Sequence, residues 1–396
     1  MAIALNQQKK RDKRVAIVGS RDGIKQAIRE SLEKIGGMHR FVKKGEVIFV
    51  KPNLTGDRPP SSGAVTNPEV LKALVELIYE QGPEKVLLGD SPSWGFDAEK
   101  TYDVTGVRSV AAETGCTLVN LDEDRIVECE IPGAKRLKKV KIAKTILECD
   151  KIINVPVLKT HMQCIVSLGL KNMKGVLPLR WKTKLHNLRP FRNYSGLDVG
   201  ISDLHRLIQP DLTVVDGTIG MEGRGPFDGE PVKMDLIISG EDPVLVDAVS
   251  ALIMGFSPEQ IPAIKLSAEN DGVVLDDYEI VGLSVDSVKR PFKPCPTDIY
   301  EGDNVQVVLG AVCTGCLATL NTAIHRLAKR NEMEEVEDLL IAIGKDPPVA
   351  SKVEKVLIVG NCALKAKIPQ GVKRIRRVEG CPPTGWQIVE GIRKLK

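Results

Sequence analysis

The chain predicts an α/β fold, with a mostly parallel sheet in a large N-terminal domain and a smaller C-terminal α/β module that carries a metal cluster. Three observations predict it. Short β-branched runs alternate with amphipathic stretches through the first 290 residues, the pattern of strand–helix units around a parallel sheet. A Pro-rich stretch, RPFKPCPTD at 290–298, interrupts the pattern and reads as a linker. Beyond it the same alternation resumes, and cysteines follow each of the strand-like runs seen there.

In chain order, VAIVGS (15–20) reads as a buried strand, and a helix from Gly23 to Ile35 ends at Gly36-Gly37. EVIFVKPN (46–53) is a second strand. Asn67-Pro68 opens a helix through Gln81, with Pro in its first turn. KVLLGDSPS (85–93), CTLVNLD (116–122), KIINVPV (151–157), LTVVDG (212–217) and MDLIISG (234–240) continue the series, the last leading into a helix near Asp247. Residues 126–145 alternate apolar and basic side chains and read as an antiparallel excursion. After the linker, VQVVLG (305–310) precedes a helix from about Leu317 to Arg330. KVLIVGN (355–361) follows a polar Glu-rich segment, and VKRIRRVEG (372–380) precedes a short terminal helix.

At about 100–200 residues per domain, 396 residues suit two or three domains. The division expected is a frayed tail at 1–13, an anion-binding α/β domain at 14–292 and a cluster-bearing module at 299–396. With 42% hydrophobic and 27% charged residues the chain is neither disordered nor fibrous. No apolar run approaches the roughly 20 residues of a membrane helix, and MAIALNQQKKRDKR lacks a secretory h-region. The expectation is a cytoplasmic protein with no membrane contact. Its thiols then stay reduced, so clustered cysteines among the nine read first as metal ligands or redox groups.

Four cysteines fall in the last 84 residues: Cys313, Cys316, Cys362 and Cys381. Each site follows a strand, and in a parallel sheet the strand ends converge on one edge. Gly315, Gly360 and Gly380 let the backbone approach closely there. Helix N-termini near Leu317 and Thr384 favour thiolate charge. An all-sulfur tetrahedral set implies zinc or an iron–sulfur cluster. Structural zinc prefers two short Cys-x-x-Cys knuckles. One close pair and two dispersed ligands favour a [4Fe–4S] cluster, with zinc as the alternative. Cys116, Cys129 and Cys149 read as core packing, Cys295 lies in the linker, and Cys164 is a second reactive thiol or a packed one.

The net charge of +4 conceals a segregation. From Lys151 to Leu197 there is no acid and there are nine cations, which leaves the rest of the chain at −5. Such a field suits an acidic partner. Within it lie Lys159, His161, Lys171, Asn172, Lys174 and the later Lys184-Leu185-His186, residues able to hold a carboxylate or phosphate and donate a proton. Lys51 and Asn53, Asp90 and Asp216 also sit at strand ends. The glycine-rich DGTIGMEGRGPFDGEP (216–231), including Gly223 and Gly225, can present backbone N–H groups to an anion or form a surface turn. Together these suggest one crevice above the sheet. Nucleic acid is the weaker reading of the cations. Aromatics make up 4% of the chain, and near this segment only Trp181, Phe191 and Tyr194 could stack on bases.

KPN (51–53), TNP (66–68), GDSP (89–92), NVPVLKTH (154–161), SLGLKNMKG (167–175), VDGTIGMEGRGP (215–226) and DPVLVDA (242–248) together resemble the domain-of-unknown-function 362 family over about residues 14–290. The resemblance implies iron–sulfur character, commonly in a ferredoxin-type module. This chain lacks the dense Cys-x-x-Cys-x-x-Cys run of such modules, which favours a single cluster. It also implies a core distantly similar to that of nickel-pincer lactate racemase, a likeness of fold rather than of function. For that enzyme's paired histidines, His161 and His186 are the only candidates here.

The leading expectation is an iron–sulfur oxidoreductase or electron-transfer enzyme. A cluster on Cys313, Cys316, Cys362 and Cys381 would exchange electrons with an anionic small molecule held by Lys51, Asn53, Lys171, Asn172, Lys174, Gly223 and Gly225. Lys159, His161, Asp90 and Asp216 would position or protonate it. A ferredoxin-like donor is the expected partner, and cluster and crevice would share one edge or meet across a homodimer. The alternatives are a cluster-dependent lyase or dehydratase, a metal-dependent isomerase, and a non-enzymatic protein that binds nucleic acid or an acidic partner and carries a structural metal.

Overall fold

A computed structural model describes residues 11–93, 96–186, 188–298, 305–312, 314–349 and 353–396. Among the described residues twelve strands precede the linker: β1 (Arg14–Gly19), β2 (Val47–Pro52), β3 (Lys85–Asp90), β4 (Thr117–Asn120), β5 (Ile126–Glu130), β6 (Lys139–Ala143), β7 (Lys151–Val155), β8 (Val157–His161), β9 (Ile165–Ser167), β10 (Leu212–Glu222), β11 (Glu230–Gly240) and β12 (Glu279–Gly282). Ten of them form one sheet, whose main path runs β12-β1-β11-β10-β7-β2-β3-β4; β8 pairs with β10, and β9 with β8. The pairs from β10 through β7, β2, β3 and β4 are parallel, whereas β11 runs antiparallel to both β1 and β10. β5 and β6 form the expected antiparallel excursion, a separate hairpin.

The central strands read as continuous apolar runs because helices cover both faces of the sheet. One face packs around Ile48, Val50, Leu71, Leu74, Val86 and Tyr102, and the other around Phe49, Leu158, Val215, Leu245 and Val249. Helix starts follow local chemistry. The Asn67 side chain accepts from Glu69 N ahead of the helix Pro68–Tyr79, and Asp242 accepts from Val244 N and Leu245 N ahead of Pro243–Ile253.

The chain passes from β2 outward to β3 and β4, then returns to lay β7 on the other side of β2. The carboxyl ends of β2 and β7 therefore flank a topological switch point, where open α/β sheets hold ligands. Lys51 on β2 lies in register with Asn154 on β7 there.

The C-terminal module is a four-stranded, fully parallel sheet in the order β13 (Val305–Leu309), β14 (Leu339–Ile343), β15 (Lys355–Val359), β16 (Arg374–Val378). β14 corrects the sequence reading, which saw three strands and a polar segment. LLIAI is as apolar and buried as the strands that the sequence reveals, but it directly follows the Glu-rich run and reads as part of it. The helices Thr314–Ala328 and Gly385–Arg393 pack together on one face, the second opened by a Thr384/Gln387 capping box.

Two further readings change. Residues 11–13, expected in the frayed tail, are anchored: Arg11 donates to the carbonyls of Pro210 (2.8 Å) and Glu241 (2.6 Å), and Asp12 pairs with Arg14 and Arg40. The glycine-rich stretch is mostly strand, because β10 continues to Glu222 and β11 begins at Glu230, leaving a short connection between them.

Candidate functional site

The basic residues separate into two groups. In the first, each ammonium is held by its own shell. Lys51 Nζ meets Asp90 Oδ1 at 2.7 Å and the Pro52 carbonyl at 2.7 Å, with both side chains buried. Asp90 also accepts from Leu54 N (2.8 Å) and Ser91 N (2.7 Å). Burial pushes the Asp90 carboxyl up, and Lys51 opposes that rise. Gly175 closes over this pair: a Cβ there would sit 2.2 Å from Asp90 Oδ1 and 2.6 Å from Lys51 Nζ. Lys159 is surrounded by neutral oxygens, Asn53 Oδ1 (2.5 Å), Thr55 Oγ1 (2.9 Å) and the Ala64 carbonyl (2.6 Å). Burial, with the nearby Lys171 charge, holds it well below the usual lysine range. Lys182, also buried, donates to the carbonyls of Ser91 and Pro92 and to Ser91 Oγ; burial pushes it down to about 8.

Asparagines tie the switch point together. Asn53 Nδ2 donates to Asn172 Oδ1 (2.8 Å), Asn172 Nδ2 to Asn154 Oδ1 (2.7 Å), and Asn154 Nδ2 to the Gly169 carbonyl (3.1 Å). Asp247 accepts from Gly169 N (2.7 Å) and Leu170 N (2.8 Å), which seats the short helix Gly169–Asn172. Burial pushes Asp247 up to about 7.

The second group is Lys171, Lys174, His161 and His186. Lys171 makes no ion pair or side-chain hydrogen bond among the described residues. Lys174 Nζ lies 2.7 Å from His186 Nε2. An ammonium there donates to Nε2 and puts the ring proton on Nδ1, which is buried without a partner among the described residues. His161 Nδ1 accepts from Gln163 N (2.9 Å) and Cys164 N (3.2 Å), so the neutral ring carries its proton on Nε2. The turn that achieves this holds Ile165 at φ 69°, a strained setting for a β-branched residue. Burial first, then Lys171 and Lys174, hold His161 well below its ordinary value. Burial, then Lys174 and Lys171, do the same for His186. Lys174 is lowered by burial and then by Lys171, and Lys171 by burial. Two lysines thus share this space with two imidazoles held neutral, and Asp198 opposes the lowering of Lys171. An anion entering among them would find ammonium and imidazole N–H donors.

Cys164 is buried, and burial together with Asp198 pushes its thiol up, so it stays protonated. Asp216 faces away from the lysines in its bonding: Oδ2 accepts from Asn67 N (2.7 Å), and Oδ1 from Thr218 N (2.9 Å) and Thr218 Oγ1 (2.7 Å). It fastens the start of the helix Pro68–Tyr79. Gly223 and Gly225 also take another role than presenting N–H groups to an anion. Gly223 N donates to the Lys293 carbonyl and Gly225 N to the Gly223 carbonyl, each at 2.8 Å. A Cβ on Gly225 would meet the Thr160 carbonyl at 2.1 Å. The connection 223–229 instead grips the C-terminal module: Arg224 donates to Asn321 Oδ1 (3.2 Å), and Asp228 pairs with Arg326 (2.6 Å).

This grip brings the cysteine edge against the second group. The Cys381 N–H donates to the His186 carbonyl at 2.6 Å, and Gln163 Nε2 donates to the Pro383 carbonyl at 2.8 Å. Within the edge, a Cβ on Gly360 would lie 3.5 Å from Cys316 Sγ, and one on Gly315 would lie 3.3 Å from Pro382 Cγ. Three loops therefore meet there. Cys316 and Cys381 are buried and Cys362 is exposed, while Cys313 lies outside the described residues. Among the described residues no group of three or more His, Cys, Asp or Glu converges as a metal site. The edge thus brings Cys316 and Cys381 onto glycine-bearing loops, thiol chemistry of the kind that could hold a sulfur-ligated group. His186, singled out in the sequence within the basic Lys184-Leu185-His186 triplet, and Gln163, not singled out at all, join the lysine–histidine cluster to this edge. The Lys184-Leu185-His186 triplet was a visible signal for His186, whereas nothing distinguished Gln163.

The model of the domain of unknown function 362 matches residues 48–252. The chain is 30% identical over 241 residues to the thylakoid-associated protein sll1697 of Synechocystis sp., covering 60% of this chain and 71% of that protein. Among solved structures it is similar to the lactate racemase apoprotein of Thermoanaerobacterium thermosaccharolyticum, at TM-score 0.39 and 12% identity over 64% of this chain and 60% of that one. A Thermotoga maritima protein gives TM-score 0.34 and 14% identity over 63% and 59%. The chain thus spans about three fifths of each of these two structures. With the switch-point motifs in place along the matched residues, the chain belongs to the domain-of-unknown-function 362 family.

Proposed function

We propose that the chain is an iron–sulfur oxidoreductase. A small organic anion binds among Lys171, Lys174, His161 and His186, and Cys313, Cys316, Cys362 and Cys381 hold a [4Fe–4S] cluster at the adjoining edge. The observation that carries this reading is the position of His186, whose carbonyl receives the Cys381 N–H while its ring meets Lys174. The cluster supplies single-electron chemistry when bound. The chain's own residues do the rest. Lys171 and Lys174 neutralise the anion, His161 Nε2 and His186 Nδ1 offer N–H groups to its oxygens, and the buried shells of Lys51 and Lys159 keep the switch point rigid. No helix among the described residues is long and apolar enough to cross a membrane. One relative is thylakoid-associated by name. We place this chain in the cytoplasm.

The test is redox titration of the anaerobically purified chain followed by EPR. With the anion bound, Lys174→Met removes an ammonium beside the Cys381 loop and should lower the midpoint potential, because a nearby cation favours the reduced form. An unchanged potential in an iron-loaded variant would break the link between pocket and edge. A colourless protein holding one zinc would replace the cluster with a structural metal.

A further inference from the structure

A second acid-free basic stretch lies between Cys362 and Cys381. Residues 363–378 contain Lys365, Lys367, Lys373, Arg374, Arg376 and Arg377, and no Asp or Glu. All six cations are exposed. Four of them, Lys365, Lys367, Arg376 and Arg377, make no ion pair among the described residues. Lys373 pairs with Glu354 (2.5 Å), and Arg374 donates to the Lys396 carbonyl (2.9 Å). Glu379, also exposed, closes the stretch.

These cations belong to the outermost strand of the module's sheet and the loop before it. β16 pairs with β15 on one side only, so its other side presents free backbone groups. Cations on an edge strand guard against edge-to-edge pairing. That accounts for charge on β16. It does not account for Lys365 and Lys367 on the preceding loop, nor for four exposed cations, Lys365, Lys367, Arg376 and Arg377, against the single ion pair of Lys373 with Glu354. The patch begins and ends on cysteines of the proposed cluster, and Cys362 is exposed beside it. Nearby lies Trp386, 45% exposed and stacked under Arg393 at 5.4 Å, an aromatic–Arg pair of the kind enriched at protein interfaces.

We infer that this edge is the docking surface for an acidic one-electron carrier protein. The inference rests on the iron–sulfur reading and names the partner's chemistry and place. Complementary charge would steer the carrier and set its orientation, with the contact centred on the cysteine edge.

The experiment uses the full chain, purified anaerobically, with an acidic plant-type ferredoxin as the probe and calorimetry or biolayer interferometry as the readout. Arg376→Glu/Arg377→Glu should weaken binding at least about tenfold, and raising salt from about 50 to about 300 mM should do likewise. Lys365→Glu/Lys367→Glu, outside the sheet, should act in the same direction and covers the case in which the strand variant misfolds. Lys44→Glu/Lys85→Glu, an equal charge change on the far domain, should leave binding unchanged. Equal loss in all three variants, or none, overturns the surface. So does capture of a single-stranded DNA 20-mer or of phosphatidylglycerol vesicles through Arg376 and Arg377 without ferredoxin binding. Iron analysis of the same samples separates the two readings. Iron-free protein that still binds ferredoxin at this edge keeps the surface and removes the cluster, whereas iron-loaded protein indifferent to the reversals removes the surface alone.

Discussion

The carbonyl of His186 accepts a 2.6 Å hydrogen bond from the Cys381 N–H, while the His186 imidazole lies 2.7 Å from Lys174 Nζ. One residue therefore joins the lysine–histidine cluster of the large domain to the cysteine edge of the small one. A movement of the helix Leu179–His186 that shifts the ring also shifts an acceptor of the Cys381 loop. This coupling makes the lysine–histidine cluster and the Cys381 loop parts of one region.

The first consequence concerns affinity. Lys171→Met and Lys174→Met should each weaken binding of small carboxylates or phosphates about ten- to a hundredfold, the range of a lost charged hydrogen bond. Binding should also take up protons. Burial and mutual repulsion lower both lysines in the free protein, and an anion raises them again. Affinity then falls as pH rises, beginning below the usual lysine range. Calorimetry in two buffers of different ionisation enthalpy measures the uptake; proton release on binding would contradict it.

Lys51 and Asp90 predict stability rather than affinity. Removing either partner of this buried pair strands the other, so Lys51→Met or Asp90→Asn should cost about 3–5 kcal/mol in urea unfolding. The double variant should recover part of that loss. A single variant as stable as the parent would show that the pair is not closed.

Lys182 predicts a pH dependence. Its folded value is about 8 against 10.5 for an ordinary lysine. Between these values the unfolded chain binds more protons than the folded one, so this residue makes stability rise with pH across about 8–10.5. The rise is on the order of 3 kcal/mol, and Lys182→Met should flatten it. Unfolding at pH 7.5, 9 and 10.5 for both proteins checks the sign; identical slopes would refute it.

Much of this region was legible in the sequence, for physical reasons. β2, β3, β7 and β15 are buried on both faces, so their apolar runs announced them, and the Asn67-Pro68 pair marked its helix through capping chemistry. β14, an equally apolar run, stayed hidden because it directly follows the Glu-rich segment. The acid-free segment announced a cationic region but could not show which cations were already satisfied. Lys159 and Lys182 find their oxygens 91 or more residues distant in the chain, at Asn53, Ala64 and Ser91, and Lys51 finds its carboxylate partner Asp90 39 residues away. The glycines of 216–231 suggested an anion loop, since sequence shows conformational freedom but not which carbonyls the N–H groups reach. The contacts of Arg224 and Asp228 with the helix Thr314–Ala328 are about 97 residues apart in the chain and left no local trace.

The most direct test of the central claim is iron and acid-labile sulfide analysis of the full chain purified without oxygen, beside Cys381→Ser. The account predicts a brown protein with about four irons and four sulfides per chain, both lost in the variant. A colourless protein with one zinc per chain, or iron unchanged by Cys381→Ser, would contradict it.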